Sequence, residues 1–150
     1  MADPTDEPVA ATVAAVEAGE PLVQHLTNEV TMSETANVTL HWNALPVMAD
    51  APSEAAEMAA GADAVLLNTG RATTDEVDAM IDAGRAANDA GTPVVLDPVG
   101  YGATSHRVAS VGRILDAVAV DAIKGNAGEV GGLADDLVGA DTAAEMRGVE

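Results

Sequence analysis

The apolar run Val94-Val95-Leu96 ends abruptly at Asp97-Pro98, and two glycines, Gly100 and Gly102, follow one residue apart. A short continuous apolar run bounded by turn signals reads as an interior strand of a parallel sheet. Open sheets of that kind bind ligands in the crevice beyond the carboxyl ends of their strands. A carboxylate at such an end therefore faces the place where chemistry is done. The pattern recurs along the chain, and its recurrence limits the fold to an alternation of strands and helices.

In order, Pro8 to Ala18 reads as a helix closed by Gly19, and Pro21 to Leu26 as a strand ending at Thr27-Asn28. Thr31 and Glu34 have capping-box spacing for a helix from about Met32 to Trp42. Pro46 to Ala49 is a short second strand, Ser53 is placed to cap a helix over Glu54 to Ala60, and Gly61 closes it. Ala64 to Leu67 is a strand stopping at Asn68-Thr69-Gly70. Thr73 and Glu76 form a second capping box, after which Val77, Met80, Ile81 and Gly84 share one helix face and Asp78, Asp82, Arg85 and Asp89 the other, up to Gly91. A helix over Arg107 to Asp116, a strand over Val118 to Ile123 and a helix through about Leu133 complete the pattern. Short connections and strict alternation predict an α/β fold, a parallel sheet with helices on both faces. The tail from Asp135 to Glu150 is glycine-rich and acidic, without a closing cap, so the fold is expected to be incomplete at its C-terminal end.

Charge narrows the partners. There are 25 acidic residues against 6 basic ones, a net charge of −19. Binding to nucleic acid through phosphates needs clustered Lys and Arg, and an anionic membrane surface needs the same, so both are excluded as expectations. With 48% apolar residues in periodic order, the acid reads as the surface of a folded protein, as in proteins of salt-loving archaea. No segment has the roughly 20 apolar residues of a membrane span, and the N-terminus lacks a signal-peptide pattern, so a cytoplasmic location is expected. There is no cysteine, no Walker A motif, no complete dinucleotide fingerprint and no nucleophile elbow. His25, His41 and His106 lack metal-ligand spacing and read as structural or surface residues.

Four strand ends carry polar residues or glycine on the expected ligand edge: Thr27-Asn28, Asn68 to Gly70, Asp97 with its glycines, and Lys124 to Glu129. Taken singly, each has a plain alternative. Asp97 either holds a divalent ion or caps a turn before Pro98. Gly100 and Gly102 either bring amides to an anion or supply turn geometry. Lys124, the sole lysine, either contacts phosphate or is a surface residue. Glu129 suits the first turn of any helix. Met48 fits a core position as well as a ligand contact.

Pro21 to Asn28, Pro46 to Ala49, Leu67 to Gly70, Val95 to Gly100 and Lys124 to Glu129 nevertheless stand together, in the order and at the spacing of hydroxyethylthiazole kinases. The chain resembles that family from about Pro21 to Leu133. The resemblance implies a three-layer α/β/α ribokinase-like fold with a mainly parallel central sheet. It gives a single such domain over residues 1–150, with 135–150 left as an unassigned or disordered tail. It implies phosphorylation of the hydroxyl of 4-methyl-5-(2-hydroxyethyl)thiazole by ATP with Mg²⁺, for thiamine, by a homotrimer with the thiazole pocket between subunits. On this likeness Met48, Asn28 and Gly70 would meet the thiazole, Lys124 and Asn126 the nucleotide, and Asp97 and Glu129 the metal. Asn126-x-x-Glu129 is similar to the N-x-x-E signature of the wider ribokinase group.

The sequence also departs from the family pattern. Lys124 stands where the family usually has arginine, keeping charge but losing the bidentate fork, and Gly128 stands where serine is usual. The family's later glycine-rich G-T-G-C segment, with its anion hole and cysteine base, has no counterpart here. The expectation is accordingly either a kinase of this family seen in its N-terminal portion, or a non-catalytic remnant that binds thiazole or an intact kinase subunit. Another ribokinase-like vitamin kinase is a third reading.

Overall fold

The computed structural model describes residues 6–147, with side chains described for 8–139. Along them run α1 (Asp6–Gly19), β1 (Leu22–Leu26), α2 (Met32–His41), β2 (Leu45–Val47), α3 (Ala55–Gly61) and β3 (Ala64–Asn68). There follow α4 (Thr74–Ala90), β4 (Val94–Asp97), α5 (Ser105–Ala117), β5 (Ala122–Ile123) and α6 (Ala127–Arg147). The alternation expected from the sequence is present. The strands form one sheet in the order β2-β1-β3-β4-β5, and every pair is parallel.

Register explains which strand residues are buried. Leu26 lies opposite Leu67 and Leu67 opposite Leu96, so these side chains share a sheet face with Val65 and Val94. That face joins Val77, Met80 and Ala83 of α4, Val111 and Ile114 of α5, and Ala55 and Ala59 of α3 in one buried cluster. The reverse face is covered by α2 at β1, where His25 Nε2 and Thr39 Oγ1 lie 3.1 Å apart. A small residue lets α4 pack closely on the end of α5. At Gly84 a Cβ would stand 2.7 Å from both methyls of Val118.

α4 forms as its sequence dictates. Thr73 and Glu76 close a reciprocal capping box, and Gly91 ends the helix in the left-handed region at φ 75°. Other helix starts differ from expectation. Thr31 makes no cap, because its backbone is helical and its hydroxyl lies 3.2 Å from that of Thr27. The amides of Thr31 and Met32 instead bond the Asn28 carbonyl, so the turn begins at Asn28. Ser53 does not cap α3 either, since the Glu54 and Ala55 amides go to the Ala51 carbonyl.

The fifth strand is shorter than its apolar run. Val118 ends α5, and Ala119 is held by paired bonds to the Asn88 side chain, 2.8 and 2.9 Å, so neither enters the ladder. α6 runs past Leu133 to Arg147 where an unstructured tail was expected. Leu133 is buried, Gly132 lies against the Tyr101 ring, and the Tyr101 hydroxyl donates to Asp136 at 2.8 Å. These contacts fix the helix where its sequence alone does not. Residues 148–150 of the expected tail lie outside the described residues.

Candidate functional site

The strand order creates a crevice. From β1 the chain goes to one side for β2, then crosses back to the other for β3, so the loops after β1 and β3 leave in opposite directions. Asn28 follows β1 and Gly70 follows β3. They meet there: a Cβ on Gly70 would lie 3.0 Å from Asn28 Nδ2 and 2.9 Å from Asn68 Oδ1. Asn28 Oδ1 accepts from Val30 N at 3.1 Å, and Asn68 Oδ1 from Gly70 N at 2.9 Å, so both loops are held by their own asparagines. Met48 is half-buried just beyond β2, on the outer side of the same edge. Strands β2 and β4 are three places apart, so the ends carrying Met48 and Asp97 are separated by about 14 Å at ~4.8 Å per strand.

Asp97 ends β4 beside its register partner Asn68. It is buried, and its Oδ2 accepts from Asn68 Nδ2 at 3.2 Å and from Lys124 Nζ at 2.9 Å. Both bonds fall on one oxygen. Among the described residues nothing donates to Oδ1, which leaves a carboxylate oxygen available to a ligand. The main chain turns sharply after it, with Thr69 N and Val99 N both bonding the Asp97 carbonyl.

Glu129 joins the two loops. Its Oε1 accepts from Gly100 N at 2.6 Å and its Oε2 from Asn126 N at 2.9 Å. Asn126 in turn accepts through Oδ1 from Gly128 N and Glu129 N at 2.9 and 3.0 Å, capping α6. The Gly100 and Asn126 amides, with the charges of Lys124 and Arg107, hold the Glu129 carboxyl below the ordinary glutamate range. Gly100 is needed in this loop, since its φ is +67° and a Cβ would press on the Arg107 guanidinium at 2.9 Å.

Asp97, Lys124, Asn126 and Glu129 are thus gathered at one end of the carboxyl edge, with Asn28 and Gly70 at the crevice and Met48 beyond it. A cavity of about 520 Å³ opens between α2 and the sheet, lined by His25, Glu34, Val38, Leu66, Asn68, Asp97 and Lys124. Burial moves the His25 imidazole below its ordinary value. The sequence placed Asn68 on the ligand edge without its bond to Asp97, and it missed Arg107, whose Nη1 donates to the Val99 carbonyl. Arg107 is one of only six cations and follows the glycine loop, which is the signal that could have found it.

The described residues contain no group of three or more His, Cys, Asp or Glu that could form a metal cage. A pair of carboxylates is within what Mg²⁺ characteristically takes, one or two carboxylates with the rest of its shell from phosphate oxygens and water.

A family model described as the hydroxyethylthiazole kinase family matches residues 13–150. The hydroxyethylthiazole kinase of Methanoculleus marisnigri is 48% identical over 141 residues, covering 94% of this chain and 48% of that protein. That of Chloroflexus aggregans is 54% identical over 114 residues, covering 76% of this chain and 41% of its own length. The structure of the hydroxyethylthiazole kinase protein from Pyrococcus horikoshii superposes with a TM-score of 0.83 at 40% identity, covering 91% of this chain and 54% of that one. The chain spans about half the length of the curated relatives it matches.

Proposed function

The chain belongs to the hydroxyethylthiazole kinase family, and from that premise we propose that it works in ATP-dependent phosphorylation of 4-methyl-5-(2-hydroxyethyl)thiazole for thiamine. The single observation that carries this is the pairing of Asp97 with Lys124 at 2.9 Å beside the loops joined by Glu129. Phosphoryl transfer asks a protein mainly for positioning and charge neutralisation, and this arrangement suits both.

In the proposed mechanism Met48, Asn28 and Gly70 hold the thiazole at the crevice, where Gly70 leaves room that a side chain would fill. Lys124 and Asn126 take the nucleotide phosphates. When Lys124 turns to phosphate it leaves Asp97 Oδ2, so a cation must replace it at that carboxylate. Mg²⁺ bound with ATP would supply that charge and offset the repulsion between two acids and a polyphosphate. Asp97 fits as its carboxylate contact through the open Oδ1. Both oxygens of Glu129 hold loop amides, so Glu129 would add its negative charge to a Mg²⁺ site while fixing the Gly100 and Asn126 backbone. No residue of this set is assigned as base for the hydroxyl. A homotrimer belongs to the same proposal, supported by the exposed Val38, Leu40, Trp42 and Leu45 around α2 and β2. So does a cytoplasmic location; no helix among the described residues is long and apolar enough to cross a membrane.

The test measures ADP release on adding the thiazole alcohol to the chain with ATP, Mg²⁺ and molar KCl, alongside calorimetric titration of Mg·ATP and of the alcohol. Thiazole-dependent ADP release, with Mg·ATP affinity reduced about tenfold in Lys124→Gln, is expected, since a lost charge-assisted contact is worth about one decade. Failure to bind either ligand would sink the proposal. Saturable thiazole binding without turnover would leave a binding protein in its place.

A further inference from the structure

We propose that a second, separate site binds a phosphoryl group, as free phosphate or as the end of a phosphomonoester. It lies between the loop after β3 and the start of α5. There a cavity of about 160 Å³ is lined by Thr69, Arg71, Thr104, His106, Arg107 and Ser110. That volume is below the ~300–1,000 Å³ of pockets for drug-sized ligands and suits one small anion.

Four observations converge on an anion. First, in a chain with 25 acids and 6 bases, two of the six Lys and Arg meet in one small pocket. Second, among the described residues neither has a carboxylate partner, for the ion pairs present are Arg113 with Asp78 and Lys124 with Asp97. Acids outnumber bases fourfold, yet none stands within ion-pair distance of either guanidinium, and Glu129 only feels the Arg107 charge from farther off. Third, α5 begins at the pocket, with Thr104 as its N-cap accepting from Arg107 N, so the positive end of a 13-residue helix points the same way. Fourth, and independently, Ser110 is 5% exposed and lines the cavity, yet among the described residues nothing hydrogen-bonds its hydroxyl. The side chain is buried but its hydroxyl is not among the buried unpaired atoms, so it opens to the cavity and is a free donor for an acceptor bound there.

The contacts are allotted as follows. Arg107 spends Nη1 on the Val99 carbonyl and keeps its other donors for the ligand. His106 Nε2 lies 3.0 Å from the Ala72 carbonyl, which can only accept, so the ring donates there and is fixed at the rim. Arg71 sits in the left-handed region at φ 62°, where a non-glycine residue is uncommon, and this turn carries its side chain to the cavity. Guanidinium pairs, hydroxyls and a helix start form the donor set that recognises tetrahedral oxyanions. The site adjoins the proposed kinase site, with Thr69 and Arg71 on either side of Gly70 and Arg107 bracing the loop at Val99, but its cavity is a different one and takes in none of Asp97, Lys124, Asn126 and Glu129. It does not depend on the kinase proposal.

The experiment titrates inorganic phosphate, and separately glycerol 3-phosphate, into the ¹⁵N-labelled chain at constant ionic strength in KCl, following backbone amide shifts. Saturable shifts at Arg71, His106, Arg107 and Ser110 are expected with at least one probe. Binding of both identifies the phosphoryl group itself; binding of one identifies the source. Arg71→Asn removes the cation and keeps a residue that tolerates positive φ, and its melting temperature should be unchanged while the midpoint weakens about tenfold. Ser110→Ala should weaken it severalfold. Both tests proceed without thiazole or nucleotide, so failure here leaves the kinase proposal standing, and the reverse. Shifts that do not saturate, that survive unchanged in both variants, or that chloride reproduces would overturn the site.

Discussion

Glu129→Gln keeps the size of the side chain and removes its charge. Wild-type Glu129 accepts two backbone amides, Gly100 N at 2.6 Å and Asn126 N at 2.9 Å. In the variant one acceptor becomes an NH₂ facing an N–H, so one bond is lost and the other becomes neutral. A hydrogen bond to a charged group is worth about 1.5–3 kcal/mol when buried. Glu129 is partly exposed and Asn126 exposed, so solvent replaces much of the loss and about 1 kcal/mol remains. For a chain of this length that lowers Tm by about 2–4 °C. The charge adds a pH signature. Glu129 titrates below its ordinary value of 4.5, chiefly through the Gly100 amide and then the Asn126 amide. A folded-state pKa below the unfolded one stabilises fully above the unfolded value, and that stability is lost as pH falls through the folded one. Urea unfolding should therefore separate wild type from variant at pH 7, and the gap should shrink below about pH 4.5. Hydrogen exchange at the Gly100 amide should quicken in the variant at neutral pH. A gap that is absent at pH 7, or constant through the acid range, refutes the clamp.

The remaining predictions concern the frame around the site. Gly84→Ala should destabilise by about 1–2 kcal/mol, because overpacking of about 1–3 kcal/mol against Val118 outweighs the ~1 kcal/mol gained in helix propensity; combining it with Val118→Ala should recover most of the loss in denaturant unfolding. Gln24→Met should cost about 1–2 kcal/mol, since the buried amide donates to the Ala49 and Ala55 carbonyls at 2.6 and 3.1 Å and its loss strands that of Ala49, while the Ala55 carbonyl keeps its place in α3 and the unpaired Gln24 Oε1 goes too. Wild type should lose stability below about pH 6.5, where unfolded His25 protonates and the buried imidazole, held below that value, resists charging. His25→Gln should lack this acid-side slope in thermal melts; an identical slope would exclude His25 as its source.

How much of this was legible in the sequence follows from where each feature gets its energy. α4 was readable to its ends because its start, stop and faces are local: Thr73 caps through Glu76, Gly91 supplies positive φ, and the acidic residues take the outer face. Thr31 and Ser53 presented equally good local signals and were overruled, because the chain already turns at Asn28 and Ala51, whose carbonyls take the amides of Thr31 and Met32 and of Glu54 and Ala55, and Thr31 is thereby drawn into helical backbone. The residues around α6 gave a weak local signal, with four glycines within it, and what holds it is Tyr101, whose hydroxyl meets Asp136 from 35 positions away. Burial first, and then Asp136, push that phenol up to about 12, so it stays a donor. The site divides in the same way. Asp97 and Glu129 announced themselves as acids after a strand and at a helix start. What each does depends on a partner near 28 positions distant, Lys124 for Asp97 and Gly100 for Glu129. Spacing along one chain cannot contain that, because the strand order that brings β4 beside β5 and β3 beside β1 is set by the crossing connections. Once that order is known, every polar strand end falls on one edge, and Asn28 and Asn68, which the sequence put at the ends of two separate strands, become the walls of the crevice around Gly70.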